Sequence, residues 1–158
     1  MDGKIEMLRH TLATLAYRGG KALRGAPASF ADFRAAEGSR TPGEIVAHLG
    51  DLLDWGLALA DGAHKWDPKP PTGWDAGVAR FFAALQALDA RLASTTPLGF
   101  PPEQLFQGPI ADALTHVGQI CMLRRLAGQP VRAENYFKAS ISSGNVGPEQ
   151  ALPRVEFD

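Results

Sequence analysis

Four segments of the chain place apolar residues at helical spacing, and this pattern restricts the fold more than any other feature of the sequence. In the first segment, from about Gly3 to Leu23, apolar residues fall at i, i+3, i+7, i+10 and i+11. Residues at this spacing line one side of an α-helix. The other three segments run from about Thr41 to Asp61, from about Trp74 to Ser94 and from about Pro109 to Ala127. The pattern predicts four amphipathic helices.

The second segment has the clearest boundary signals. Thr41 is a suitable N-cap, Pro42 suits the first helical position, and Glu44 stands where a capping box needs an acidic residue. Gly62 is a plausible stop for this helix, as Gly128 is for the fourth. The sequence therefore predicts helix ends as well as helix faces.

Breaker residues cluster between the helical segments, as in "WDPKPPTGW" (66–74) and "TTPLGFPPEQ" (95–104). No stretch alternates at period two, so no sheet is expected. The last residues, 129–158, contain aromatic and apolar side chains and are expected to pack over the helices. We expect one all-α domain, residues 1–158, built as a four-helix bundle with long connections and a C-terminal arm, 129–158.

Composition excludes several classes of protein. The 158 residues include 16 basic and 17 acidic ones, without the basic excess that nucleic-acid binding favours. No apolar run approaches the 18 or so residues of a membrane span, and Asp2, Glu6 and Arg9 interrupt any signal-peptide core. The single cysteine, Cys121, excludes an intramolecular disulfide. We expect a soluble cytoplasmic protein that binds neither nucleic acid nor membrane.

Two histidines lie on faces that should point inward. His48 follows Ile45 by three residues and precedes Leu52 by four. His116 precedes Ile120 by four residues and follows Asp112 by four, so that its side chain and the Asp112 carboxylate lie one helical turn apart. An inward histidine is more often a hydrogen-bonded core residue, and an i,i+4 acid–base pair is common on helix surfaces.

A metal site is the alternative interpretation. Bundle cores hold metals with carboxylates and histidines from facing helices. His48, Asp112 and His116 would suit a divalent first-row ion such as Zn, Ni, Fe or Mn, and three protein ligands leave a coordination position open. An inward carboxylate without a partner or a metal would be costly to bury.

The motifs around these residues resemble those of the DinB/YfiT-like superfamily. "HVGQI" (116–120) followed by "LRRLAG" (123–128) is similar to the last-helix signature of that family, and "TPGEIVAHL" around His48 is similar to its second-helix motif. The resemblance extends from about residue 1 to residue 130. It implies a dimeric four-helix bundle that binds a divalent metal with three histidines, one on the second helix and two on the last.

The chain departs from that pattern at one ligand, since Asp112 stands where the family has a histidine. The resemblance implies a metal held by His48, Asp112 and His116 that activates a thiol or a water molecule. Characterised relatives use low-molecular-weight thiols such as bacillithiol or mycothiol. The implied activity is a thiol-dependent S-transferase or a related hydrolase, and the implied assembly is a homodimer acting on a small-molecule substrate.

Three neighbouring residues have two interpretations each. Gln119 could orient a metal ligand or simply stabilise helix packing, and Asp51 could assist His48 or be solvated. Trp55, two turns from His48, could line a substrate pocket or serve as a core anchor. The arm could cover the site, or it could bury an open edge of the bundle or contact a partner subunit.

Two classes of function therefore remain. The first is a metal-dependent enzyme, a transferase or hydrolase, for which the sequence assigns no catalytic residue beyond the ligands. The second is a non-catalytic, dimeric bundle that binds a metal or small molecule and has a vestigial site.

Overall fold

The computed structural model describes residues 2–158 and is mainly helical. Its helices are α1 (Gly3–Leu23), α2 (Pro42–Ala60), α3 (Trp74–Ala93), the short α4 (Pro102–Leu105) and α5 (Ala111–Leu126). The prediction of an all-α chain is confirmed, and the four long helices begin and end within one or two residues of the expected positions. A short 3₁₀ turn, Ala28–Asp32, lies between α1 and α2.

The helix starts follow from their capping residues. At α1 the Asp2 carboxylate accepts a hydrogen bond of 3.0 Å from the backbone N–H of Lys4. At α2 the Glu44 N–H donates to Thr41 Oγ1 over 3.2 Å, and the Thr41 N–H donates to Glu44 Oε2 over 2.7 Å. These two reciprocal bonds form the capping box that the sequence predicts, and they satisfy two N–H groups that a helix leaves free.

The apolar faces of the four long helices meet in one hydrophobic core, in which α2 and α3 form the most extensive pair. Its largest fully buried side chains include Leu12, Leu15, Leu49, Leu53, Phe81, Leu85, Leu88 and Ile120. Helix α1 approaches α3 closely because Gly19 has no side chain. A Cβ at Gly19 would lie 2.7 Å from Phe81 Cζ.

The segment before α5 is more regular than expected. Instead of a loop, α4 continues through a π-helical turn, Phe106–Ile110, directly into α5. Pro109 explains the wider turn, because it has no N–H to donate and its ring needs space against the preceding turn. This wide turn packs on α2, where a Cβ at Gly56 would lie 3.4 Å from Pro109 Cγ. Pro109 therefore forms part of the contact between this turn and α2.

The connection after α2 and the connection after α3 are in direct backbone contact beside the end of α2. A Cβ at Gly99 would lie 2.1 Å from Gly62 Cα, a distance that no side chain tolerates. Gly62 has φ +86°, and the Gly99 N–H donates to the Ala60 carbonyl over 3.0 Å. Only glycine at residue 99 permits this contact.

The C-terminal arm packs against α1, as expected, but it contains a small sheet that was not expected. Strands β1 (Ala133–Glu134) and β2 (Glu156–Phe157) pair antiparallel. The buried Glu134 carboxylate accepts hydrogen bonds from Tyr17 Oη at 2.6 Å and from Lys21 Nζ at 2.8 Å. The expectation of no sheet is wrong because two-residue strands are too short to show alternation.

Within residues 2–158, no helix combines the length and apolar character needed to cross a membrane.

Candidate metal centre

Helices α2 and α5 bring together the three residues that the sequence analysis predicts as metal ligands. One candidate ligand atom from each of His48, Asp112 and His116 lies within 4.8 Å of the other two. Asp112 stands between the imidazoles, with Oδ2 at 3.6 Å from Nε2 of His48 and Oδ1 at 3.5 Å from Nε2 of His116. The two imidazole rings meet edge to face, with centroids 4.6 Å apart.

These separations are longer than hydrogen bonds and are compatible with ligands that share one metal ion. A hydrogen bond between a ring N–H and a carboxylate spans about 2.7–3.2 Å. Two ligand atoms of a tetrahedral ion at bond lengths of about 2.1 Å are about 3.4 Å apart. The Asp112 oxygens lie 3.5 and 3.6 Å from the ring nitrogens, which is close to the second spacing. The donor set of two imidazoles and one carboxylate therefore fits a divalent first-row metal.

Gln119 contacts the ligand cluster directly. Its Oε1 lies 2.7 Å from Nδ1 of His116. Because an amide oxygen only accepts, Nδ1 carries the proton in this hydrogen bond, and the neutral ring keeps a lone pair on Nε2, the nitrogen that faces Asp112. Such a bond to the outer ring nitrogen is the usual way in which proteins orient a metal-binding histidine. The interpretation that Gln119 orients a ligand thus has a geometric basis.

The surroundings of His48 favour its neutral form. Burial lowers the pKa of His48 below its ordinary value, and the nearby His116 and Arg40 lower it further. The carboxylates of Asp112 and Asp51 act in the opposite direction and are outweighed. A neutral imidazole is the form that binds a metal, so His48 is prepared for coordination at neutral pH.

The cluster opens on one side to a groove. The side chains of His48 and His116 are 18% and 12% exposed, whereas that of Asp112 is 47% exposed. The groove has a volume of about 610 Å³. Besides the three cluster residues it is lined by Ser39, Arg40, Ile45, Gln119, Met122 and Leu123. A ligand could therefore reach the cluster from solvent.

Trp55 is not among the residues that line this groove, so the structure does not support the interpretation that it forms a pocket wall. Its ring packs against Gly108 and stacks on His64. Trp66, which is partly exposed, stands between Trp55 and His48 and meets the imidazole edge to face at 5.7 Å. Trp66 therefore packs against the His48 ring, and Trp55 packs against Trp66.

Asp51 has a different role from either one expected. It is buried rather than solvated, and its Oδ1 accepts hydrogen bonds from Arg80 Nη2 at 2.8 Å and from the Lys69 N–H at 3.0 Å. These bonds tie the connection between α2 and α3 to both helices. Asp51 acts on His48 only through its charge.

The arm lies away from the groove. None of the arm residues 129–158 belongs to the groove lining, so the interpretation that the arm covers the site is not supported. Arm residues instead lie against α1 and α3. A Cβ at Gly20 would lie 3.7 Å from Gln150 Cγ, and a Cβ at Gly147 would lie 3.2 Å from Gln86 Nε2. This placement agrees with the alternative in which the arm buries an edge of the helical core.

Sequence reasoning missed three groove residues: Ser39, Arg40 and Met122. Arg40 directly precedes the N-cap Thr41, which is seven residues and thus two turns before His48. Met122 is three residues after Gln119 and is exposed although apolar. Helical spacing on α5 could have identified Met122 once His116 was taken as part of a site. Arg40 lies before the helix, so helical spacing gives no signal for it.

No protein-family model, curated protein or solved structure matches this chain. The similarity to the DinB/YfiT-like superfamily therefore rests on the two helix motifs alone, and the class of the protein remains a proposal.

Proposed function

We propose that His48, Asp112 and His116 bind one divalent first-row metal ion, with Zn, Ni, Fe and Mn as the candidates. The observation that supports this most directly is the position of Asp112, whose two oxygens stand at 3.5 and 3.6 Å from two ring nitrogens. A cation between these groups would offset the repulsion between the carboxylate and the imidazole lone pairs. Without a cation, both contacts are longer than good hydrogen bonds.

The proposed activity is that of a metal-dependent enzyme, a thiol-dependent S-transferase or a related hydrolase. A bound metal supplies Lewis acidity and lowers the pKa of a coordinated water molecule or thiol. His48, Asp112 and His116 hold the ion, and Gln119 keeps the Nε2 lone pair of His116 available to it. The groove admits the second reactant beside the open coordination position.

The motif similarity supports the finer parts of this proposal. It favours a four-helix bundle of the DinB/YfiT-like type, a homodimer, a cytoplasmic location and a low-molecular-weight thiol as co-substrate. The helix order and the positions of His48 on α2 and of His116 on α5 agree with that family pattern.

A second candidate is a non-catalytic metal-binding or small-molecule-binding dimer. One observation favours it: apart from the three proposed ligands, the groove lining of the described residues contains no carboxylate, histidine, cysteine or lysine. A reaction at this site would then depend on a nucleophile activated by the metal, because the groove offers no separate general base.

The metal content of the protein distinguishes the proposed metal site from a metal-free Asp112–His116 pair with a purely structural role. We would measure first-row metals in untagged protein, and in the variants His48→Ala, Asp112→Ala and His10→Ala. His10 is exposed on α1 and serves as the matched histidine control. About one metal per chain, lost in the first two variants and retained in the third, is expected.

A wild-type protein that retains no metal after incubation with Zn, Ni, Fe or Mn would contradict the proposal. If the metal is present, the next measurement is of reaction rates, either of thiols with electrophiles or of hydrolysis without added thiol. Measurable turnover would favour the enzyme over the non-catalytic alternative.

A further inference from the structure

Arg40 is a cation without a carboxylate partner at the edge of the groove. It is exposed, and within residues 2–158 it forms no ion pair at 4.0 Å or less. Glu44, whose pKa Arg40 helps to lower, already accepts a hydrogen bond from the Thr41 N–H. The guanidinium is therefore available to a ligand in the groove.

The backbone on both sides of Arg40 is held in place. Ser39 Oγ donates to the Ala36 carbonyl over 2.8 Å, and Arg34 Nη1 donates to the Ser39 carbonyl. On the other side Thr41 is fixed by its capping box with Glu44. Arg40 thus projects from an anchored turn, which reduces the entropy lost when it binds an anion.

Besides Arg40 and the metal cluster, the groove lining contains three apolar side chains, Ile45, Met122 and Leu123, together with Ser39 and Gln119. Ile45 and Leu123 are buried, and Met122 is 59% exposed. Asp112, the acidic side chain of the groove lining, stands between His48 and His116. The groove lining therefore combines a cation, apolar side chains and the proposed metal-binding residues.

We propose that the groove selects a small carboxylate with an apolar body, whose carboxylate pairs with Arg40 while the apolar body lies on Ile45, Met122 and Leu123. Arg40 is then a specificity-determining residue. This inference rests on the proposed function, since the metal cluster defines which part of the groove holds the reacting group. A guanidinium pairs with a carboxylate through two parallel hydrogen bonds, which a neutral analogue cannot form.

Binding is tested on metal-free protein, so that its outcome does not depend on metal uptake. The probes are hexanoate and 1-hexanol, which share a chain and differ in charge. The readout is the NMR shift of ¹³C-labelled methionine methyl groups. Met122 reports on the groove, and Met7, which is exposed beside a separate apolar groove on α1, is the internal comparison.

Hexanoate should shift the Met122 resonance and bind about fivefold more tightly than hexanol. Arg40→Gln should remove that preference, and Arg40→Lys should retain part of it because the charge remains. Arg125→Gln, at an exposed arginine of α5 outside the groove lining, should leave hexanoate binding unchanged.

Three results would overturn the inference: a shift of Met7 alone, no shift of Met122 at high millimolar hexanoate, or equal binding of hexanoate by the wild type and Arg40→Gln. Each of these results could be obtained even if the protein contains one metal ion per chain before its metal is removed. A failure of this inference is thereby separated from a failure of the proposed function.

Discussion

Gln119 and His116 form a hydrogen bond of 2.7 Å that fixes which nitrogen of the imidazole faces Asp112. Both residues lie on α5, three positions apart, so the bond forms within a single helix and does not depend on how α5 packs. The orientation of His116 is therefore set by α5 itself and does not require the proposed metal ion.

Replacing Gln119 by alanine should weaken metal binding about 10- to 100-fold, the usual cost of losing a partner of a ligating histidine. Gln119→Glu should keep most of the affinity because a carboxylate also accepts from Nδ1. Competition with a chromophoric chelator measures both effects. Thr115→Ala, an exposed change on the same helix, is the control. Equal affinities of wild type and Gln119→Ala would show that His116 needs no such support.

The pH dependence of stability should contain a component from His48. Burial first, and then His116 and Arg40, lowers the pKa of His48 in the folded protein below its ordinary value of 6.5. In metal-free protein the unfolded chain then takes up the proton at a higher pH than the folded chain does. Stability should fall as the pH decreases through about 6.5 and level off below the folded-state pKa.

The variant His48→Gln tests this component, because glutamine does not titrate. Its free energy of unfolding should decrease less than that of the wild type between about pH 7.5 and 5.5, measured by urea denaturation of metal-free samples. His10→Gln, on the exposed side of α1, should behave as the wild type does. The prediction would be contradicted if the free energy of unfolding varied with pH in the same way for His48→Gln and for the wild type.

Two helical glycines should respond in opposite ways to substitution by alanine. A Cβ at Gly19 would lie 2.7 Å from Phe81 Cζ, so Gly19→Ala should destabilise the fold by about 1–3 kcal/mol. A Cβ at Gly118 meets nothing within 4 Å, so Gly118→Ala should stabilise α5 by about 0.5–1 kcal/mol. Urea denaturation measures both. A loss of stability in Gly118→Ala would indicate a contact with another chain at this face of α5.

The arm should depend on the buried carboxylate of Glu134. Without this carboxylate, the nearly buried Lys21 ammonium would have only Glu156 near it, at 3.9 Å. Glu134→Ala should therefore lower the free energy of unfolding by about 3–5 kcal/mol. Limited proteolysis should then cleave within residues 129–158 before it cleaves the helices. Glu149→Ala, at an exposed position of the same arm, should change neither result. Retained protease resistance in Glu134→Ala would show that the remaining contacts of the arm hold it without this carboxylate.

The helices and the three proposed ligands could be predicted from the sequence because both follow from local spacing. Asp112 and His116 share a helix face whatever the tertiary structure, and His48 lies on the apolar stripe of its own helix. Packing the two apolar faces together then brings the three residues within reach of one another. Gln119 was found in the same way.

The surroundings of the cluster could not be predicted, because they depend on irregular segments. Arg40 reaches the groove through a turn closed by side-chain hydrogen bonds, and Trp66 reaches His48 from an extended connection. Asp51 was misjudged because its partner Arg80 is 29 positions away on another helix. None of these contacts has a periodic signal in the sequence.

The π-helical turn at Phe106–Ile110 contains one more residue than an α-helical turn would hold in the same stretch. One residue corresponds to about 100° of rotation around a helix axis. Inserting or deleting a residue here would rotate Asp112 and His116 away from His48, together with the core side chains of α5. The length of this segment therefore determines whether the three proposed ligands face one another, although none of them lies within it.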